Sequence, residues 1–126
     1  VEALALRERA FGANHPRLVG TLNTLGAARL RAGRYADAQA LLERAVAVAE
    51  ASGGPGHPDL AHPLNNLALA LEDQGDERGA IAHYHQAIEA DETFADAHFN
   101  LGRLLERAGK RKQAMEHLLA YKRLTD

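Results

Sequence analysis

A block of this chain comes round again, and that repetition limits what it can fold into. Asn14-His15-Pro16-Arg17-Leu18-Val19 returns 42 residues later as Gly56-His57-Pro58-Asp59-Leu60-Ala61. Leu22-Asn23-Thr24-Leu25-Gly26 returns at the same step as Leu64-Asn65-Asn66-Leu67-Ala68, then at a step of 34 as His98-Phe99-Asn100-Leu101-Gly102. A second set of anchors keeps this register. Ala38, Ala80 and Ala114 each lie twelve residues beyond Gly26, Ala68 and Gly102, and the bulky Leu42, Tyr84 and Leu118 follow four further on. A period of this length means stacked supersecondary units, each too small to bury its own apolar face.

Each unit reads as two helices. Leu18, Leu22, Leu25 and Leu30 recur along one helical face. Pro16 and Pro58 suit a first helical turn, where a missing N–H is harmless. Ala32-Gly33-Arg34, Gln74-Gly75-Asp76 and Ala108-Gly109-Lys110 place a glycine where a helix ends in a left-handed cap. Second helices are expected over about Tyr35–Ala51, Glu77–Ala90 and Arg111–Leu124. Ser52-Gly53-Gly54-Pro55-Gly56 is the strong helix breaker, and with the end of the helix before it holds the eight extra residues of the longer repeat. Glu2–Phe11 matches the second helix of a preceding unit, because Ala3 lies 42 before Ala45. The expected organisation is one domain over 1–126: a lone helix at 1–12, then repeats at 16–52, 58–91 and 93–126, about seven helices in all. Gly26, Ala68 and Gly102 mark where two helices of a hairpin cross, since a larger side chain there would push the axes apart.

Composition agrees. Ala and Leu supply 26 and 19 of the 126 residues, while only six are aromatic. That favours helix over sheet. With no cysteine, disulfides and thiolate metal sites are excluded. No run of about 18 apolar residues announces a membrane span, and the opening residues lack a signal-peptide core. A cytoplasmic setting and a piece cut from a longer chain are the expectations. Arg outnumbers Lys twelve to three, a usage associated with GC-rich bacterial genomes.

The pattern Leu-x-x-Leu-Gly…Ala-x-x-x-Leu-x-x-Ala resembles the tetratricopeptide repeat. The 42-residue step, the His-Pro before the first helix and Leu-Asn-Asn-Leu-Ala-Leu at 64–69 are similar to its kinesin-light-chain subgroup, and the last copy, Thr93 to Gly102, to the ordinary 34-residue type. The chain departs at the fourth position, where Leu22, Leu64 or His98 replaces the usual aromatic, and near the repeat end, where Glu50, Glu92 and Asp126 replace proline. The resemblance implies an all-α, right-handed solenoid of helical hairpins. It also implies a non-enzymatic module that binds a protein or peptide partner in a concave groove lined by the first helix of each pair. Carried over position by position, that groove holds Asn23, Ala27 and Arg31, then Asn65, Asn66, Leu69 and Asp73, then Phe99, Asn100, Arg103 and Arg107. Side-chain amides suit a peptide main chain because each both donates and accepts, and Phe99 would be an apolar anchor. The same asparagines could instead bond between neighbouring helices. The lysine-based clamp that some members use on C-terminal carboxylates is not expected: Asn23 and Ala27 stand in the first helix where it would need Lys and Asn, and no first helix holds a lysine.

Other classes find less support. Residues 59–92 hold one base and eight acids, a net of −7, whereas residues 93–126 hold seven bases and four acids, a net of +3. Such asymmetry could steer a mixed-charge peptide or simply solvate an outer face. The basic cluster Lys110-Arg111-Lys112 with Lys122-Arg123 lacks interleaved aromatics beyond Tyr121, so no nucleic-acid partner is expected. His83 and His85 fall on different sides of a helix; His15 and His57 suit turns, and His62, His98 and His117 look scattered, so no metal or other cofactor is expected. There is no phosphate-binding glycine motif and no nucleophile elbow, and Glu72-Asp73 reads as an exposed helix end. The alternatives to a peptide binder are a structural spacer, self-association through exposed Leu119 and Leu124, or a regulatory segment of an enzyme whose chemistry lies elsewhere.

Overall fold

The computed structural model describes residues 3–6, 16–54 and 56–126. Residues 3–6 are helical; the rest of the leading-helix expectation, and His15, lie outside the described residues. Six further helices follow: α1 (Leu18–Arg31), α2 (Tyr35–Gly53), α3 (Ala61–Asp73), α4 (Glu77–Ala90), α5 (Ala95–Arg107) and α6 (Arg111–Thr125). A 3-10 turn, Pro58–Leu60, leads into α3. Among the described residues there is no strand. The fold is an all-α solenoid of antiparallel hairpins, α1/α2, α3/α4 and α5/α6, each packed on the next.

The glycine caps form as expected. Gly33, Gly75 and Gly109 have φ of 76°, 88° and 81°, a region that L side chains enter at a cost. The following amides, of Arg34, Asp76 and Lys110, then donate back to the carbonyls of Arg29, Leu71 and Leu105 at 2.8–2.9 Å, closing each helix end. At the start of α4 the Asp76 carboxylate accepts from the Gly79 amide at 3.0 Å, an N-cap. His57 serves its turn, with Nδ1 accepting from the Asp59 amide at 3.1 Å.

Two readings need correction. Ser52 and Gly53 do not break the helix but end it; Ser52 Oγ donates to the Val48 carbonyl at 2.8 Å, and the break begins at Gly54, with φ of 82°. The extra residues of the longer repeat therefore first lengthen α2, to 19 residues against 14 in α4. Pro16 lies in a turn before α1 rather than in its first turn.

The core is a series of linked clusters. Leu18, Leu22 and Ala45 close the first hairpin, with Leu4 packed against them. Ala38, Leu42 and Leu67 join the first hairpin to the second. Ala68, Ala80, Tyr84, Leu101, Leu104, Leu105 and Ala114 join the second to the third. The small-to-large notch is tight. A Cβ on Gly26 would stand 2.6 Å from Leu42 Cγ, and one on Gly102 would stand 2.8 Å from Leu118 Cγ.

Opposite outcomes are expected for one substitution at two sites in α1. Leu42 is fully buried and cannot swing aside, so Gly26→Ala should destabilise by about 1–2 kcal/mol net of its gain in helix propensity. Gly20 has open space where its Cβ would go, so Gly20→Ala should stabilise by about 0.5 kcal/mol. Thermal unfolding of both variants checks the signs, and a stabilising Gly26→Ala would refute the notch.

Candidate functional site

The first helices α1, α3 and α5 stand side by side, and their amides tie them into one wall. Asn66 Nδ2 donates to Asn23 Oδ1 at 2.9 Å, linking α3 to α1. Asn100 Nδ2 donates to Asn65 Oδ1 at 3.1 Å, linking α5 to α3. Asn65 is buried, while Asn23, Asn66 and Asn100 are half-buried. One interhelical bond does not exhaust a side-chain amide, which carries an acceptor and two N–H donors.

Near the far end of α3 the wall holds an ionic knot. The Glu72 side chain is only 8% exposed. Its carboxylate accepts from Arg103 Nη1 at 2.9 Å and Nη2 at 3.3 Å, from Arg107 Nη2, and from the Tyr84 hydroxyl at 2.9 Å. Burial alone would push the carboxyl up. The hydrogen bonds from Arg103 and Tyr84 and the charges of Arg103 and Arg107 outweigh it, so Glu72 sits below the ordinary carboxylate range. Partial desolvation beside the covered Glu72 pushes its exposed neighbour Asp73 up, helped by the Glu72 charge. Burial likewise pushes the Tyr84 hydroxyl far up, with the Glu72 carboxylate adding to the effect. The expectation of an exposed Glu72-Asp73 end is thus wrong for Glu72: α5 crosses its side chain and supplies two guanidiniums.

Of the other groove candidates, Arg31 and Asp73 are exposed and Ala27 is half-buried. Leu69 is half-buried against the cluster that joins the second and third hairpins. Phe99 is 41% exposed, its ring 5.0 Å from that of Tyr121 on α6. Beside Asn23, a recess of about 300 Å³ opens between α1 and α3, lined also by Val19, Pro58, Asp59 and His62. Another recess, of about 540 Å³, is lined by Ala3, Leu4 and the Gly20–Ala28 side of α1 and by none of the asparagines.

The histidines are less scattered than they look in the sequence. His98 and His117 meet, with their Nδ1 atoms 3.2 Å apart. His83 turns back to the Gly79 carbonyl at 2.8 Å, while His85 faces His117. Among the described residues, no group of three or more His, Cys, Asp or Glu side chains is arranged to hold a metal ion. Among them too, no helix is long and apolar enough to cross a membrane.

Models of the tetratricopeptide repeat match residues 1–51, 17–93 and 71–125. The chain belongs to the tetratricopeptide-repeat family. A comparison with curated proteins finds no match. Solved structures with the same fold include MamA, at 23% identity and a TM-score of 0.75, over 98% of this chain and 65% of that one. The second TPR of Spaghetti (RPAP3), bound to the HSP90 peptide SRMEEVD, matches at 18% identity and a TM-score of 0.75, over 98% of this chain and 99% of its own. A kinesin light chain of Podosopora anserina with nearly identical TPR-like repeats matches at 21% identity and a TM-score of 0.70, over 97% of this chain and 62% of that one. At these identities the likeness concerns the fold alone. The chain spans about two thirds of the MamA and kinesin-light-chain structures.

Proposed function

We propose that this repeat array is a protein–protein interaction module that receives an extended peptide or a helix of a partner along the wall of α1, α3 and α5. Phe99 carries the reading. It is a large apolar side chain left at the surface, steadied by Tyr121, beside a wall whose exposed groups are mainly amide and charged. An anchored aromatic of this kind is a typical binding hot spot. Asn23, Asn66 and Asn100 offer a peptide main chain both donors and acceptors, and Arg31, Asp73, Arg103 and Arg107 set the charge around them. The module acts by a preformed surface, with no reaction, as part of a larger scaffold or regulatory protein.

A peptide-array screen followed by titration calorimetry tests the site. Phe99→Ala should weaken a captured peptide by about tenfold or more, and Asn66→Ala should weaken it less. Binding unchanged in both variants removes the assignment. The peptide SRMEEVD is a second probe. Because α1, α3 and α5 contain no lysine, it should not saturate this groove.

A second reading rests on α6, where Met115, Leu119 and Leu124 are 56%, 48% and 41% exposed. These side chains would let copies associate, making the array a spacer or assembly segment. Sedimentation over a range of concentrations separates the two: a stable monomer leaves the groove reading alone.

A further inference from the structure

Three imidazoles from three helices gather where the second hairpin meets the third. The ring of His117 on α6 lies 5.4 Å from that of His98 on α5 and 5.6 Å, edge-on, from that of His85 on α4. His98 is buried, 8% exposed. Its Nε2 is 2.9 Å from the main-chain carbonyl of Glu92 and its Nδ1 is 3.2 Å from His117 Nδ1. A carbonyl can only accept, so Nε2 of His98 carries the hydrogen. Neutral His98 then has a bare Nδ1, and the hydrogen between the rings belongs to His117. The tautomer of each ring is set by this chain of bonds.

Proton uptake acts on the pair in two steps. A first proton settles on the remaining bare nitrogen, Nε2 of His117, and the bridging hydrogen survives. A second proton leaves a hydrogen on both Nδ1 atoms, which are too close for that. The bridge is lost and two cations face each other, with the ring of the exposed His85 against His117. Glu116, beside His117 on α6, is the acid that opposes this; Glu92 contributes its main-chain carbonyl, and Arg123 lines a recess of about 370 Å³ with His98 and adds positive charge. Burial first, then His98 and His85, hold His117 below its ordinary value, with Glu116 acting the other way. A neutral imidazole in the folded state stabilises fully above the pH at which the unfolded side chain titrates. That contribution fades as the solution becomes more acidic.

We propose that His98 and His117, with His85 beside them, form an acid-sensitive latch that holds α6 on α5 at neutral pH and releases it in mild acid while the first hairpin stays folded. α6 is the helix poised to go, because Ala114 is its one fully buried residue, and weakly buried elements open first. The latch does not depend on what the groove binds.

Amide hydrogen exchange at pH 7.5 and 5.5, corrected for intrinsic rates, tests it on the whole chain. Opening of α6 should rise by up to about tenfold as His117 is kept neutral in the fold, while α1 and α2 change little. His117→Asn keeps an N–H donor in the place of Nδ1 but cannot titrate, so its α6 should lose most of this rise. Equal α6 opening at the two pH values, or an undiminished rise in His117→Asn, overturns the latch. Ring ¹⁵N shifts of the unmodified chain give a check that needs no variant: His117 should take up its proton below the ordinary histidine value, and uptake at the ordinary value would also overturn it.

Discussion

Leu101→Ala is expected to remove about 3 kcal/mol of stability, and to remove it from one end of the molecule. Leu101 is fully buried in the cluster where α5 meets Ala80 and Tyr84 of α4. Leucine-to-alanine changes in cores cost about 2–5 kcal/mol, more where the walls cannot close in. Here the walls are Tyr84, Leu104, Leu105 and the alanines of two helical hairpins, small or already packed groups that leave little collapse available. In an array that touches only neighbour to neighbour, such a loss acts on the interface it weakens. The third hairpin should therefore lose hydrogen-exchange protection at lower urea than α1 and α2, and unfolding should cease to be two-state. Met115→Ala, on the 56% exposed side chain of α6, is the control and should stay within about 0.5 kcal/mol. A uniform fall in protection over all three hairpins would show one cooperative unit and refute neighbour-only coupling.

The hairpins could be read from the sequence because their determinants are local or strictly periodic. A glycine after each first helix must take a left-handed conformation, and Gly33, Gly75 and Gly109 do so. The small residue at 26, 68 and 102 answers the large one at 42, 84 and 118 because every hairpin solves the same crossing problem. Features made between units were harder to see. Glu72 sits in the last turn of its helix, a position that usually faces water; Tyr84 of α4 and, more than thirty residues on, Arg103 and Arg107 of α5 cover it. A signal was present, since Arg103 and Arg107 are one helical turn apart, and Tyr84 fills the notch twelve residues after Glu72. His98 and His117 look unrelated at a separation of 19, yet the turn at Ala108–Lys110 lies midway between them and folds them to the same level. The asparagines allow two readings by chemistry. Each pair makes an interhelical bond, and a side-chain amide has capacity left for a guest.

Glu72→Ala is expected to cost about 2–3 kcal/mol, with the loss falling mainly on Tyr84. Arg103 and Arg107 are 36% and 53% exposed, so their charges can return to water, where such pairs count for little. Tyr84 is fully buried and its hydroxyl donates to Glu72. Without that acceptor it pays the desolvation of an unmade hydrogen bond, about 1–3 kcal/mol. Tyr84→Phe removes the orphan donor, so in the Glu72→Ala background it should cost nothing or restore stability, although alone it costs about 1 kcal/mol. The double-mutant cycle should therefore show a coupling above about 1 kcal/mol. The depressed carboxyl adds a pH signature. Its stabilisation is complete above the ordinary carboxylate range and is lost as the pH falls through the lower value it has in the fold. Glu72→Ala should flatten that part of the acid-unfolding curve. Additive single effects, with an unchanged acid limb, would mean that the knot is decoration on a stack held by its leucines alone.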